Sequence, residues 1–151
     1  MYSKEESQNL RHEFWHKLES KTKRLPGQNG RPIKWIGAKT GIKGLDLRFD
    51  VDRERAMVAI EINAATPERQ KMLYEKMVAC KKIFEDKFGA PLVWDPTYQK
   101  SESEVLARVY IETPGNLYDR EQWKEMIVFL IDNMRKMEEA FKLVQDYLTL
   151  F

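Results

Sequence analysis

Cysteine and histidine are nearly absent from this chain, which has one cysteine, Cys80, and two histidines, His12 and His16, in 151 residues. A single thiol cannot close an internal disulfide, which fits a reducing, cytoplasmic setting. Cys80 falls among helix positions, where a thiol packs as a small buried hydrophobe. Long apolar runs are missing too: none approaches the ~20 residues that cross a bilayer. The start of the chain, Met1-Tyr2-Ser3-Lys4-Glu5-Glu6, is polar and acidic, unlike a secretory leader. No internal repeat and no low-complexity segment interrupts the chain. A membrane protein and a disulfide-stapled scaffold are therefore not expected.

What remains is the composition of an ordinary globular domain, 42% hydrophobic and 33% charged. The length predicts one domain over residues 1–151, large enough to bury roughly 70% of the surface its unfolded form exposes. Net charge is only +2 but unevenly spread. Residues 11–48 carry ten lysines and arginines against three acids, and the rest of the chain carries 16 against 21. Such asymmetry marks a candidate anion-binding surface.

Hydrophobic periodicity organises the chain around residues 33–64. Before them, Ser3 and Glu6 form a capping box, and Leu10, Phe14 and Leu18 make one stripe of a helix running to about Lys21. The text TKRLPGQNGRP from Thr22 to Pro32 is a basic loop. Three extended runs follow. The first is Ile33–Ala38, with Lys39-Thr40-Gly41 as a turn. Leu45–Val51 alternates, with Leu45, Leu47, Phe49 and Val51 on one face and Asp46, Arg48 and Asp50 on the other. Met57–Asn63 alternates likewise, with Glu61 and Asn63 outward. Short connections require antiparallel neighbours.

Thr66-Pro67-Glu68 opens a second helix, with Leu73, Met77, Cys80, Phe84 and Phe88 as its stripe and Gly89 as its left-handed cap. Leu92-Val93-Trp94 reads as a short strand and Val105–Thr113 as a longer one with Arg108, Tyr110 and Glu112 on its polar side. Asp119 and Gln122 cap the last helix. In it Trp123, Ile127, Leu130, Met134, Met137, Phe141, Val144 and Leu148 recur at steps of four and three. That seam buries the helix lengthwise. Phe129, Ile131, Leu143, Tyr147 and Leu150 lie off it, which keeps a homodimer seam as a second reading. The fold expected is α+β, in the order α-β-β-β-α-β-β-α. Its sheet has about five strands, mainly antiparallel, with helices on one face and a solvated charged face opposite.

Several motifs invite chemistry. His12-Glu13-Phe14-Trp15-His16 has the spacing of a zinc-protease helix. A helical wheel turns both imidazoles away from Leu10, Phe14 and Leu18, and there is no third histidine, so a solvated helix face is the better reading. Asp46 or Asp50 followed by Glu61-x-Asn63 has the layout of a restriction-endonuclease-like Mg²⁺ site. There a lysine at the position of Asn63 would help place the attacking water. Asn63 supplies no charge, and cross-strand pairing of these acids with Arg48 and Arg108 is the simpler account. Gly37-Ala38-Lys39-Thr40-Gly41 lacks the phosphate-loop spacing and reads as a hairpin turn. The better candidate is the basic set Lys21, Lys23, Arg24, Arg31, Lys39 and Lys43. These could hold a phosphate backbone by counterion release, with solvated loop charge as the alternative. No interleaved aromatic platform marks sequence-specific reading.

Five features taken together resemble a bacterial family catalogued as domain of unknown function 4268. They are Phe14-Trp15 on a capped first helix, Trp35-Ile36-Gly37 with Thr40-Gly41-Ile42, Ile60-Glu61-Ile62, Phe88-Gly89 before Leu92-Val93-Trp94, and the Trp123 helix. The resemblance spans nearly the whole chain and rests on core aromatics and turns. It implies a fold, and a nucleic-acid or defence setting by association with nuclease-like segments; it assigns no catalytic residue. The expected function is a non-catalytic accessory or binding domain for a protein or nucleic-acid partner, with no cofactor. A divergent Mg²⁺-dependent nuclease using Asp46, Asp50 and Glu61 is the alternative from another class, and a structural dimer module a third.

Overall fold

The structure is a computed structural model and describes residues 2–25, 35 and 39–150. Helix α1 (Lys4–Lys23) starts at the expected capping box, with the Ser3 side chain accepting from the Glu6 N–H and Glu6 reaching back to the Ser3 N–H. Strands β1 (Leu45–Val51) and β2 (Arg55–Ile62) form a hairpin. Two helices follow, α2 (Pro67–Ala79) and α3 (Lys81–Phe88), then β3 (Val93–Gln99) and β4 (Val105–Pro114). A single 3₁₀ turn, Arg120–Gln122, leads into α4 (Trp123–Thr149).

The four strands form one antiparallel sheet in the order β1-β2-β4-β3. The expected fifth strand, Ile33–Ala38, falls outside the described residues apart from Trp35, and the sheet among the described residues has four. Side chains alternate between the two faces as the sequence predicts. Leu45 pairs with Ile62 and Leu47 with Ile60, and next to them Ile62 pairs with Ala107 and Ile60 with Val109. These residues join one core cluster with Phe14, Leu73, Met77, Phe84 and the α4 seam, so the helices lie behind this face.

Every seam residue of α4 named above is buried, and Trp123 fixes its start by donating its indole N–H to the Leu117 carbonyl at 2.7 Å. Burying each large apolar side chain contributes about 1.5–3 kcal/mol, so α4 is the chief support of the sheet. Its N-terminal end meets α1 edge to face, with the Phe14 and Trp123 rings 5.5 Å apart. Of the residues off the seam, Phe129 and Ile131 are half-buried against the core, whereas Leu143, Tyr147 and Leu150 are exposed.

Three expectations need correction. The single helix read from Thr66 to Gly89 is two, because Cys80 leaves helical geometry at φ −96° and ψ 8°. The stripe survives the break: Leu73, Met77, Cys80, Phe84 and Phe88 are all buried. The short strand at Leu92–Trp94 is instead Val93–Gln99, with a register shift between Asp95 and Tyr98. Pro96 sits in that shift, and an edge strand tolerates a residue with no N–H to donate. Lastly, the charged face is buried at its centre, where Glu61 and Arg108 are almost unexposed.

Candidate functional site

The helix-free face of the sheet carries the residues that strand alternation assigned to it. Asp46 stands opposite Glu61 on β2, and Glu61 opposite Arg108 on β4. Yet Glu61 is 3% exposed and Arg108 only 1%. Among the described residues, cover comes from long side chains of the same face. The Arg108 guanidinium lies 4.3 Å from the centre of the Tyr98 ring, and Tyr98 meets Tyr110 edge to face.

The polar groups beneath this cover are matched. Glu61 Oε2 accepts from Arg108 Nε at 3.1 Å and also from Arg108 Nη2. Its other oxygen takes Arg48 Nε at 2.9 Å and Lys100 Nζ at 3.2 Å. Arg108 Nη1 donates to Asp50 at 2.9 Å, bridging two acids of neighbouring strands. Arg55 donates to the Tyr98 hydroxyl at 2.6 Å and to Glu112 at 3.1 Å. Burial pushes the Glu61 carboxyl up, but Arg108, helped by Lys100, outweighs it and holds the group below its ordinary value. For Arg108, burial favours deprotonation, and the bonds to Glu61 and Asp50 reverse that and raise its pKa.

This arrangement bears on the metal reading. Asp50 and Glu61 converge on a guanidinium, which fills the place between them that a Mg²⁺ ion would need. Asp46 is drawn toward Arg48 at 3.8 Å, and the Asn63 amide donates to Glu104 at 3.4 Å. No group of three or more metal-ligating side chains occurs among the described residues. The His12/His16 pair is exposed on α1. Glu13 between them is held by Arg120 through two bonds of 2.9 and 2.7 Å, which lower its carboxyl pKa.

The basic set divides into two groups. Lys21, Lys23 and Arg24 end α1, where cations also complement the negative end of the helix dipole. Lys39 and Lys43 belong to the turn that enters β1, and Arg31 lies outside the described residues. No hydrogen bond or ion pair joins the groups among the described residues. Lys23 pairs with Glu19 at 3.5 Å, both largely exposed, whereas Lys21, Arg24, Lys39 and Lys43 have no ion pair there. The turn is well built. Thr40 Oγ1 accepts the Ile42 N–H at 3.1 Å and donates to the Leu45 carbonyl at 2.7 Å. Gly44, at φ +86°, lies so close to β2's exit that a Cβ there would stand 3.0 Å from Ala64 Cα.

Beside this turn, between β1 and α4, opens a cavity of about 190 Å³. Trp35, Leu47, Met134 and Phe141 give it apolar walls, and Lys39, Glu138 and Lys142 supply charge. The Trp35 indole donates to Glu138 Oε2 at 3.1 Å. Sequence reading missed Glu138 and Lys142, since both stand on the flank of a helix valued for its seam. Their spacing of one helical turn was the available signal. The sequence places Trp35 on a strand, and nothing in it shows the contact with α4.

No helix among the described residues is long and apolar enough to cross a membrane. No curated protein and no solved structure matches the chain. The aromatics and turns that carried the family resemblance all lie within residues 10–145, the span matched by a family model. Over that span, nearly its whole length, the chain belongs to the family described as Domain of unknown function (DUF4268).

Proposed function

We propose that this chain, residues 1–151 acting as one unit in the cytoplasm, is a non-catalytic binding domain for a nucleic-acid partner. In this reading its contact surface is the basic set Lys21, Lys23, Arg24, Arg31, Lys39 and Lys43. One contrast carries the reading. The arginines of the sheet face are consumed by internal carboxylates, whereas Lys21, Arg24, Lys39 and Lys43 have no ion pair among the described residues. Cations without internal partners keep their charge available to phosphates, and counterion release then supplies the affinity. The nuclease alternative through Asp46, Asp50 and Glu61 has less support, because Arg108 stands between its acids.

Fluorescence anisotropy with labelled DNA at several salt concentrations tests the proposal. The wild type is expected to bind with log K falling linearly against log salt, at a slope of about −0.7 per phosphate neutralised for a single strand. Reversing Lys21, Arg24, Lys39 and Lys43 to glutamate together should flatten that slope and weaken binding at least about tenfold. Salt-independent or unchanged binding in the reversed variant would overturn the reading. Capture of an acidic protein surface in place of DNA would move the same cations to another class of partner.

A further inference from the structure

The cavity between the Lys39 turn and α4 has features that a solvated dimple lacks. At about 190 Å³ it is far smaller than a drug-sized pocket of ~300–1,000 Å³. It is comparable with the ~150 Å³ apolar cavity known to admit benzene. One substituted six-membered ring fits that scale. The walls suit such a ring, with Leu47, Met134, Phe141 and Trp35 supplying apolar surface.

Polar groups at the edge narrow the choice. Glu138 is half-buried, and its Oε2 already accepts the Trp35 indole N–H at 3.1 Å, which orients the carboxylate. Its Oε1 takes no hydrogen bond from a described residue and remains an acceptor for an incoming N–H. Lys39 on the turn and Lys142 on α4 flank the cavity, both exposed and both without an ion pair among the described residues. A ring with an amino group on its edge and negative charge on both sides would meet each of these features. Carboxylates read the exocyclic amine of cytosine in this way.

We propose that the cavity receives one unpaired cytosine of a single strand. Its ring lies among the apolar walls, its amine donates to Glu138, and the flanking phosphates lie against Lys39 and Lys142. A thymine of similar size presents an acceptor where cytosine presents the amine, and it would face the carboxylate unfavourably. A base in a duplex cannot enter without leaving its stack, so single strands bind better than duplex. The inference rests on the nucleic-acid reading above and adds to it a strand type and a base.

The test compares labelled oligo-dC, oligo-dT and a duplex of equal length with the full chain at fixed salt. The expected result is tighter binding of oligo-dC than oligo-dT by roughly fivefold, the worth of one net hydrogen bond. Glu138→Met should erase that preference and leave the salt slope unchanged, and Glu138→Gln, which keeps an acceptor, should retain part of it. Lys142→Glu, on an exposed position, should weaken both homopolymers and flatten the slope while the preference persists. Equal affinity for oligo-dC and oligo-dT in the wild type, or an unaltered preference in Glu138→Met, would overturn the cytosine site and leave the polyanion reading standing. Loss of all salt-dependent DNA binding in the wild type would overturn both. Uptake of an acidic phenylalanine-bearing peptide without DNA binding would assign the cavity to a protein side chain and also overturn it.

Discussion

Arg108 and Glu61 are the pair on which the helix-free face turns. Removing one member of a buried ion pair strands the other, which costs about 3–5 kcal/mol, whereas replacing both with apolar side chains is often neutral or stabilising. Arg108→Ala is therefore expected to lower the urea midpoint sharply. Arg108→Met combined with Glu61→Leu should recover most of the loss, and a double variant no better than Arg108→Ala would contradict this account of the face. The pH dependence follows in sign. The folded-state pKa of Glu61 is depressed, so its contribution is present above the unfolded value of about 4.3. That contribution is lost as pH falls through the folded value. Urea midpoints measured from neutral to acid pH should fall below about pH 4 in the wild type and fall less steeply in Glu61→Gln. The shared face of Asp46, Glu61 and Arg108 was legible because side chains alternate along a strand. The dryness of its centre was not, because it depends on Tyr98. That residue reaches Arg108 from beyond an irregularity in β3, in a stretch whose alternation gave no strand past Trp94.

At the scale of elements, the turn before β1 offers a comparison between two glycines of nearly equal conformation. Gly41 and Gly44 have φ of +85° and +86°. A left-handed residue with a Cβ costs about 1–2 kcal/mol, so Gly41→Ala, which meets open space, should lose no more than that. Gly44→Ala adds contact with Ala64 backbone at 3.0 Å and should destabilise further. Urea titration of the two variants decides the matter; equal losses would mean that the β2 exit yields and that the turn is less firmly docked than its geometry implies. Gly41 announces a turn in the sequence, but the separate burdens of the two glycines need the partner across the hairpin. The same holds for α2 and α3: five stripe residues at helical spacing predict one rod, and the break at Cys80 leaves the stripe intact. Periodicity reports which face is buried and is blind to a break that keeps the same face inward.

For the molecule as a whole, the open question that the long helix raised is whether its leftover apolar surface joins two copies. The seam itself is consumed internally, since all eight of its residues from Trp123 to Leu148 are buried within the chain. What remains exposed on α4 and its C-cap, among the described residues, is Val128 at 50%, Leu143 at 68%, Tyr147 at 43% and Leu150 at 66%. The backbone carbonyl and ring of Tyr147 already engage Lys76, with the ammonium 5.0 Å from the ring centre. A stable interface removes about 800 Å² from each partner, and four side chains of which one is already engaged fall well short of that. The chain is therefore expected to run as a monomer by light scattering at high concentration, with Leu143→Asp changing neither mass nor urea midpoint appreciably. A dimeric mass that Leu143→Asp returns to monomer would show that the end of α4 recruits surface from elsewhere, and would revive the dimer module. The periodic seam was legible in sequence, but its partner was not. Steps of four and three specify an apolar stripe, and only the sheet and the other helices packed against it settle that the stripe is filled from within.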